Sequence, residues 1–143
     1  MILRPATPED APACAAILGG FFEDTPWLPR LHSAQDDRAF LTRLIHLGHV
    51  SVATKTGEVL GYLAVNGAEL DHMYLAPGAR RQGIGSLMMA HAKASRDALT
   101  LWCFRENTAA LAFYTHHGFA EIARTDGDNE ENLPDVQLQW SAV

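Results

Sequence analysis

Cysteine is scarce: Cys14 and Cys103 are the only two in 143 residues, and their spacing fits neither a metal site nor a redox pair. Both are expected to be buried thiols in a reducing, cytoplasmic setting. The start, MILRPATPEDAP, lacks the basic-then-apolar pattern of a leader. Long apolar runs are missing too. ACAAILGGFF, the longest stretch without a charged or strongly polar residue, is too short to span a bilayer, so no membrane partner is expected. A nucleic-acid binder would carry a basic stripe, whereas here 17 acidic residues face 11 basic ones for a net charge of −6. Most of that excess sits in Glu121, Asp126, Asp128, Glu130, Glu131 and Asp135; without that segment the chain is nearly neutral. Nucleic acid is therefore excluded, and a cationic partner is the better match. Seven histidines are present, but none pairs with carboxylates at a zinc-site spacing, so no metal is expected.

What remains is an ordinary globular composition, 48% hydrophobic and 20% charged, long enough for one domain over residues 1–143. ILR reads as a strand, and TPEDAPACAAIL as a helix with Thr7 as N-cap and Pro8 at its first position, stopped by Gly19–Gly20. A second helix is expected near Asp36 to Leu47, with Phe40, Leu44 and Leu47 at helical spacing. VSVAT and EVLGYLAVN read as strands joined at Lys55–Thr56–Gly57, and Asn66–Gly67 as a type I′ turn into a third strand, ELDHMYLA. A helix to about Ser95, the strand LTLWCF, the helix NTAALAFYTHHG and the strands FAEIAR and PDVQLQW complete the chain. This order predicts an α/β (α+β) fold with a mixed, mostly antiparallel sheet of about seven strands and four helices.

The densest positive charge stands against a glycine pair at a helix start, in Arg80-Arg81-Gln82-Gly83-Ile84-Gly85. A dinucleotide fingerprint would need a third glycine where Met88 stands, and a nucleotide phosphate loop would need Gly-Lys-Ser or Gly-Lys-Thr. Neither is present. A pyrophosphate cradle remains: glycines allow close backbone approach, successive N–H groups face the phosphates, and arginines add charge.

These six residues resemble the Arg/Gln-x-x-Gly-x-Gly/Ala signature of the GCN5-related N-acetyltransferase (GNAT) superfamily. MYLAP before them and LWCFRENTAALAFYTHHGF after them are similar to neighbouring blocks of that family, and the element order matches over nearly the whole chain. The resemblance implies acetyl-CoA as the acetyl donor and a sheet splayed between strands 4 and 5. The phosphates would lie on Arg80, Arg81 and the N–H groups of Gln82, Gly83, Ile84, Gly85 and Ser86. The pantetheine arm would run beside Met73, Tyr74 and Leu75 and on to Asn107 and Ala110. Tyr114 matches the family tyrosine that protonates the departing thiolate. The acceptor would be a primary amine on a small molecule or a peptide, and pairing of two copies is common among relatives. The alternative is a non-catalytic acyl-CoA-binding regulatory module.

Attack on a thioester requires a neutral amine, so a base is needed. Glu69, eleven residues before Arg80, matches the catalytic glutamate of the histone-modifying branch. Asp71 shares its face on a regular strand and His72 takes the other, unless a bulge breaks the alternation. His72 has the ordinary pKa for the task, and a chain of waters could serve instead. Trp27, Arg30 and His32, in DTPWLPRLH, are the candidates for acceptor binding, facing the loop between the last two strands.

Overall fold

Thr7 opens the helical part of the chain because its neighbours reward it. The Asp10 carboxylate accepts the Thr7 backbone N–H at 2.8 Å and a two-pronged contact from Arg4 at 2.7 and 3.0 Å. In the computed structural model, which describes residues 1–80 and 82–143, strand β1 (Ile2–Pro5) leads into a 3₁₀ turn (Pro8–Asp10) and then helix α1 (Ala11–Asp24). The helix therefore runs through Gly19–Gly20 instead of stopping there. The reason is tertiary: a Cβ on Gly20 would lie 3.7 Å from the Pro77 ring, and Phe21, just beyond, packs on Tyr74 at 4.7 Å. The glycines mark a close seam between α1 and the turn after the fourth strand.

Helix α2 (Ala34–His46) begins before Asp36, because Ser33 and Asp36 cap each other reciprocally at 3.1 and 3.2 Å. Its buried stripe is Asp37, Leu41 and Ile45, leaving Phe40 and Leu47 exposed. Both sets have helical spacing, and only packing distinguishes them. Strands β2 (Val50–Lys55) and β3 (Glu58–Asn66) join at Thr56–Gly57, both at positive φ, which is the type I′ pattern. Asn66 instead ends β3 paired with Glu69, and of the two turn residues only Gly67 has positive φ, so the second hairpin follows the type II′ pattern.

Strand β4 (Glu69–Leu75), a 3₁₀ turn (Pro77–Ala79), α3 (Ile84–Lys93), β5 (Ala98–Phe104), α4 (Thr108–His116), β6 (Ala120–Thr125) and β7 (Asp135–Ser141) follow. Among the described residues seven strands lie in the order β1-β2-β3-β4-β5-β7-β6, antiparallel except for β4 beside β5. Two cores result, one on each face. Leu63, Leu70, Met88, Met89, Leu99, Leu101 and Phe119 form the core beneath α3 and α4. Cys14, Leu41, Val52 and Tyr62 form the other beneath α1 and α2. Both cysteines are buried and unpaired, and among the described residues no helix is long and apolar enough to cross a membrane.

Candidate active site

The two parallel strands touch at one end only. β4 and β5 pair at Glu69 and Thr100, where the Thr100 N–H meets the Ala68 carbonyl at 2.8 Å, and then part. Toward β3, the Ala76 N–H bonds the Leu60 carbonyl, and Tyr74 stands opposite Tyr62. Antiparallel alternation then turns the N–H and C=O groups of Met73 and Leu75 outward, into the gap. A cavity of about 640 Å³ occupies that gap, walled by Met73, Tyr74, Leu75, Trp102, Cys103, Phe104, Ala110, Phe113 and Tyr114 among others. Phe21, carried there by the extension of α1, closes one side.

At one end of the cavity α3 begins. Gly83 sits at φ +78° as its N-cap, in open space where a Cβ would meet nothing within 4 Å. The first helical bond runs from the Leu87 N–H to the Gly83 carbonyl, which leaves the N–H groups of Ile84, Gly85 and Ser86 without a helical partner. The Ile84 side chain is buried in the core, so this residue offers its backbone alone. Gly85 answers a different need: a Cβ there would stand 3.1 Å from the Phe113 ring. Arg80 lines the cavity and is held by Asp24 at 2.8 Å. The Gln82 amide donates to the Gly78 carbonyl at 3.0 Å, bracing the loop. Ser86 Oγ lies 3.3 Å from His117 Nε2. Arg81 lies outside the described residues.

Tyr114 lines the cavity beside Phe113, and burial drives its phenol far above the ordinary range, with Tyr74 and Cys103 adding to the effect. Burial likewise pushes Tyr74 and Cys103 to about 12. Around these three groups the surroundings disfavour a negative charge. Asn107 caps α4 by accepting the Ala110 N–H at 3.2 Å, and both residues face the cavity.

The candidate bases separate. β4 carries a bulge: Ala64 pairs with His72 and Val65 with Leu70, leaving Asp71 without a partner. Leu70 and Met73 therefore both pack beneath α3, while His72 turns to the α1–α2 face. There it contacts Phe40 and Tyr62, and its Nδ1 lies 3.0 Å from the Tyr62 hydroxyl. Burial lowers its pKa to about 4. His72 is not among the cavity walls. Asp71 is, and it also shares a small hollow with Glu69. Burial raises the Asp71 carboxyl above the usual range, the Glu69 charge raises it further, and His49 opposes both.

The segment after α1 meets the loop between β6 and β7. His32 Nε2 lies 2.7 Å from the Glu130 carboxylate, and the Trp27 ring stands 6.0 Å from that of Phe104. Arg30 is committed to Asp37 at 3.0 Å and lies over Phe22. Sequence reasoning passed over Phe21, Asp24 and Trp102. The last could have been found, because alternation along LTLWCF turns Trp102 away from buried Leu101 and Cys103. Among the described residues no group of three or more His, Cys, Asp or Glu side chains could hold a metal ion.

Comparison with known proteins agrees with this architecture. The family model described as acetyltransferase (GNAT) domain matches residues 46–121. The chain is 29% identical to the peptidyl-lysine N-acetyltransferase YiaC of Escherichia coli (strain K12), over 99% of this chain and 98% of that protein. It is 32% identical to the peptidyl-lysine N-acetyltransferase YjaB of Salmonella typhimurium over 53% of this chain, a match that spans only 52% of that relative. The structure of yncA from Salmonella typhimurium, solved with its cofactor acetyl-CoA, shares the fold at a TM-score of 0.76 and 18% identity, covering 100% of this chain and 94% of that one.

Proposed function

The chain belongs to the acetyltransferase (GNAT) family, and from that premise we propose that it transfers an acetyl group from acetyl-CoA to the side-chain amine of a peptidyl lysine. The observation that carries this reading is the gap between β4 and β5, which runs from the free amides of α3 to Tyr114. The residues present fit the donor. Gly83 leaves open space at the amide row, Met73 and Leu75 present unpaired backbone groups, and the cavity is lined from Gly85 to Tyr114. The acceptor class is supported by two relatives named peptidyl-lysine N-acetyltransferases, and the donor by the acetyl-CoA held in yncA.

When bound, acetyl-CoA supplies an activated thioester. The α3 amides and Arg80 would hold the phosphates, and the outward backbone groups of Met73 and Leu75 would hold the arm by main-chain hydrogen bonds. Asp71 would take the proton of the incoming ammonium, burial and the neighbouring Glu69 charge making its carboxylate a stronger base than an ordinary one. Tyr114 stays protonated at neutral pH and donates to the sulfur as it departs.

Tyr114→Phe removes the proton and keeps the ring. Turnover should fall by about a hundredfold, measured as free thiol released with a lysyl peptide, while calorimetry shows acetyl-CoA affinity unchanged. Turnover equal to that of the wild type would remove Tyr114 from the acid role.

A further inference from the structure

Three concavities meet at one side chain. Trp102 lies in the middle of β5, 52% exposed, and helps to wall the donor cavity. On one side it borders a hollow of about 150 Å³ with Glu69, Asp71, Thr100 and Gln137. On the other it borders a hollow of about 320 Å³ with Phe104, Asp128, Asn129 and Glu131. Its neighbours Leu101 and Cys103 are buried beneath α3, so alternation along β5 presents the indole on the α1–α2 face. The core beneath α1 and α2 draws its strand residues from β2, β3 and β4, which leaves this part of β5 uncovered on that face. An indole in the open middle of a sheet gives the fold little of its burial energy. It offers instead a rigid apolar plate that attracts cations.

The surroundings of the plate are acidic, and the nearby arginines do not offset them. Arg80 is held by Asp24, Arg30 by Asp37, and Arg105 by Asp126 and the Thr125 carbonyl. Asp71 and Glu69 stand on one side of the indole, Asp128 and Glu131 on the other, and both Asp71 and Glu131 also reach the donor cavity.

We propose that Trp102 is the acceptor platform: the methylene stem of the substrate lysine lies on the indole, its ammonium points into the donor cavity, and the two flanking hollows select basic residues on either side of that lysine. This rests on the lysyl-acceptor reading above. A long methylene stem covers the aromatic face while its charged head stays beside carboxylates. An acidic flanking residue would be driven into a hollow that already carries two carboxylates.

The test is steady-state kinetics with peptides holding one lysine between arginines, alanines or glutamates, on the wild type, Trp102→Ala and Trp102→Phe, with acetyl-CoA binding by calorimetry on each. The wild type should rank the peptides Arg, Ala, Glu in falling kcat/KM. Trp102→Ala should raise the peptide KM about tenfold with a smaller change in kcat, Trp102→Phe should recover most of that loss, and acetyl-CoA affinity should fall by much less than the peptide KM rises. A KM unmoved by Trp102→Ala, a glutamate-flanked peptide used as well as the arginine-flanked one, or loss of acetyl-CoA binding in Trp102→Ala would each overturn the platform while leaving lysyl transfer intact. If the wild type binds acetyl-CoA but acetylates no peptide of the series, the lysyl reading falls, and the platform with it.

Discussion

His72 shows how one residue can carry the right chemistry and the wrong surroundings. Its type suits a base at neutral pH, and its place next to Met73, on a strand that borders the gap, suits a catalytic role. The unpaired residue at Asp71 turns it over, onto Phe40 and Tyr62. Enclosed there, the imidazole is held neutral, its pKa lowered to about 4. A histidine whose native pKa lies below its unfolded value contributes stability that is present above pH 6.5 and is lost as pH falls toward the native value. Chemical denaturation should therefore show a loss of up to about 3 kcal/mol between pH 6.5 and pH 4 that is absent in His72→Gln. A His72→Gln curve parallel to that of the wild type would place the titration elsewhere. The alternation of β4 was readable only up to Leu70, because a bulge is decided by which residues of β3 stand opposite, and ELDHMYLA does not encode its partner's register.

At the scale of elements, helix starts and the Thr56–Gly57 turn were the legible part. Thr7, Gly83 and Asn107 carry their signals locally, and the hexapeptide from Arg80 to Gly85 announces the amide row of α3 within six positions. What could not be read was where elements defer to one another. Gly19–Gly20 looks like a stop and serves as a packing seam against Pro77, and the exposed Phe40 looks like core. The order of the last strands, with β7 between β5 and β6, is likewise set by packing at a distance. The parted strands make a prediction that belongs to this scale. Met73 and Leu75 point their amides into the gap, while the Tyr74 amide is spent on β3. In hydrogen exchange by NMR, Met73 and Leu75 should exchange faster than Tyr74 in the free protein and slow markedly with acetyl-CoA. Equal protection of all three without ligand would mean that β4 and β5 are zipped in solution.

Over the whole molecule, charge and shape divide the labour between two ends of one gap. The donor end gathers backbone amides and Arg80, suited to an anion. The acceptor end gathers Asp71, Asp128 and Glu131 around Trp102, suited to a cation. A net charge of −6, concentrated in the segment from Glu121 to Asp135, extends the field of the acceptor end beyond contact distance. Such steering acts on encounter rather than on chemistry, and it fades when the screening length falls below the distance over which the approaching peptide is guided. Raising salt from about 20 to 300 mM should therefore cut kcat/KM for an arginine-flanked lysyl peptide several-fold and leave kcat nearly constant. Replacing Glu130 and Glu131 by Gln should flatten that dependence, because both stand on the β6–β7 loop and Glu131 borders the mouth of the cavity. A salt effect on kcat as large as that on kcat/KM would move the electrostatics from the approach to the reaction itself.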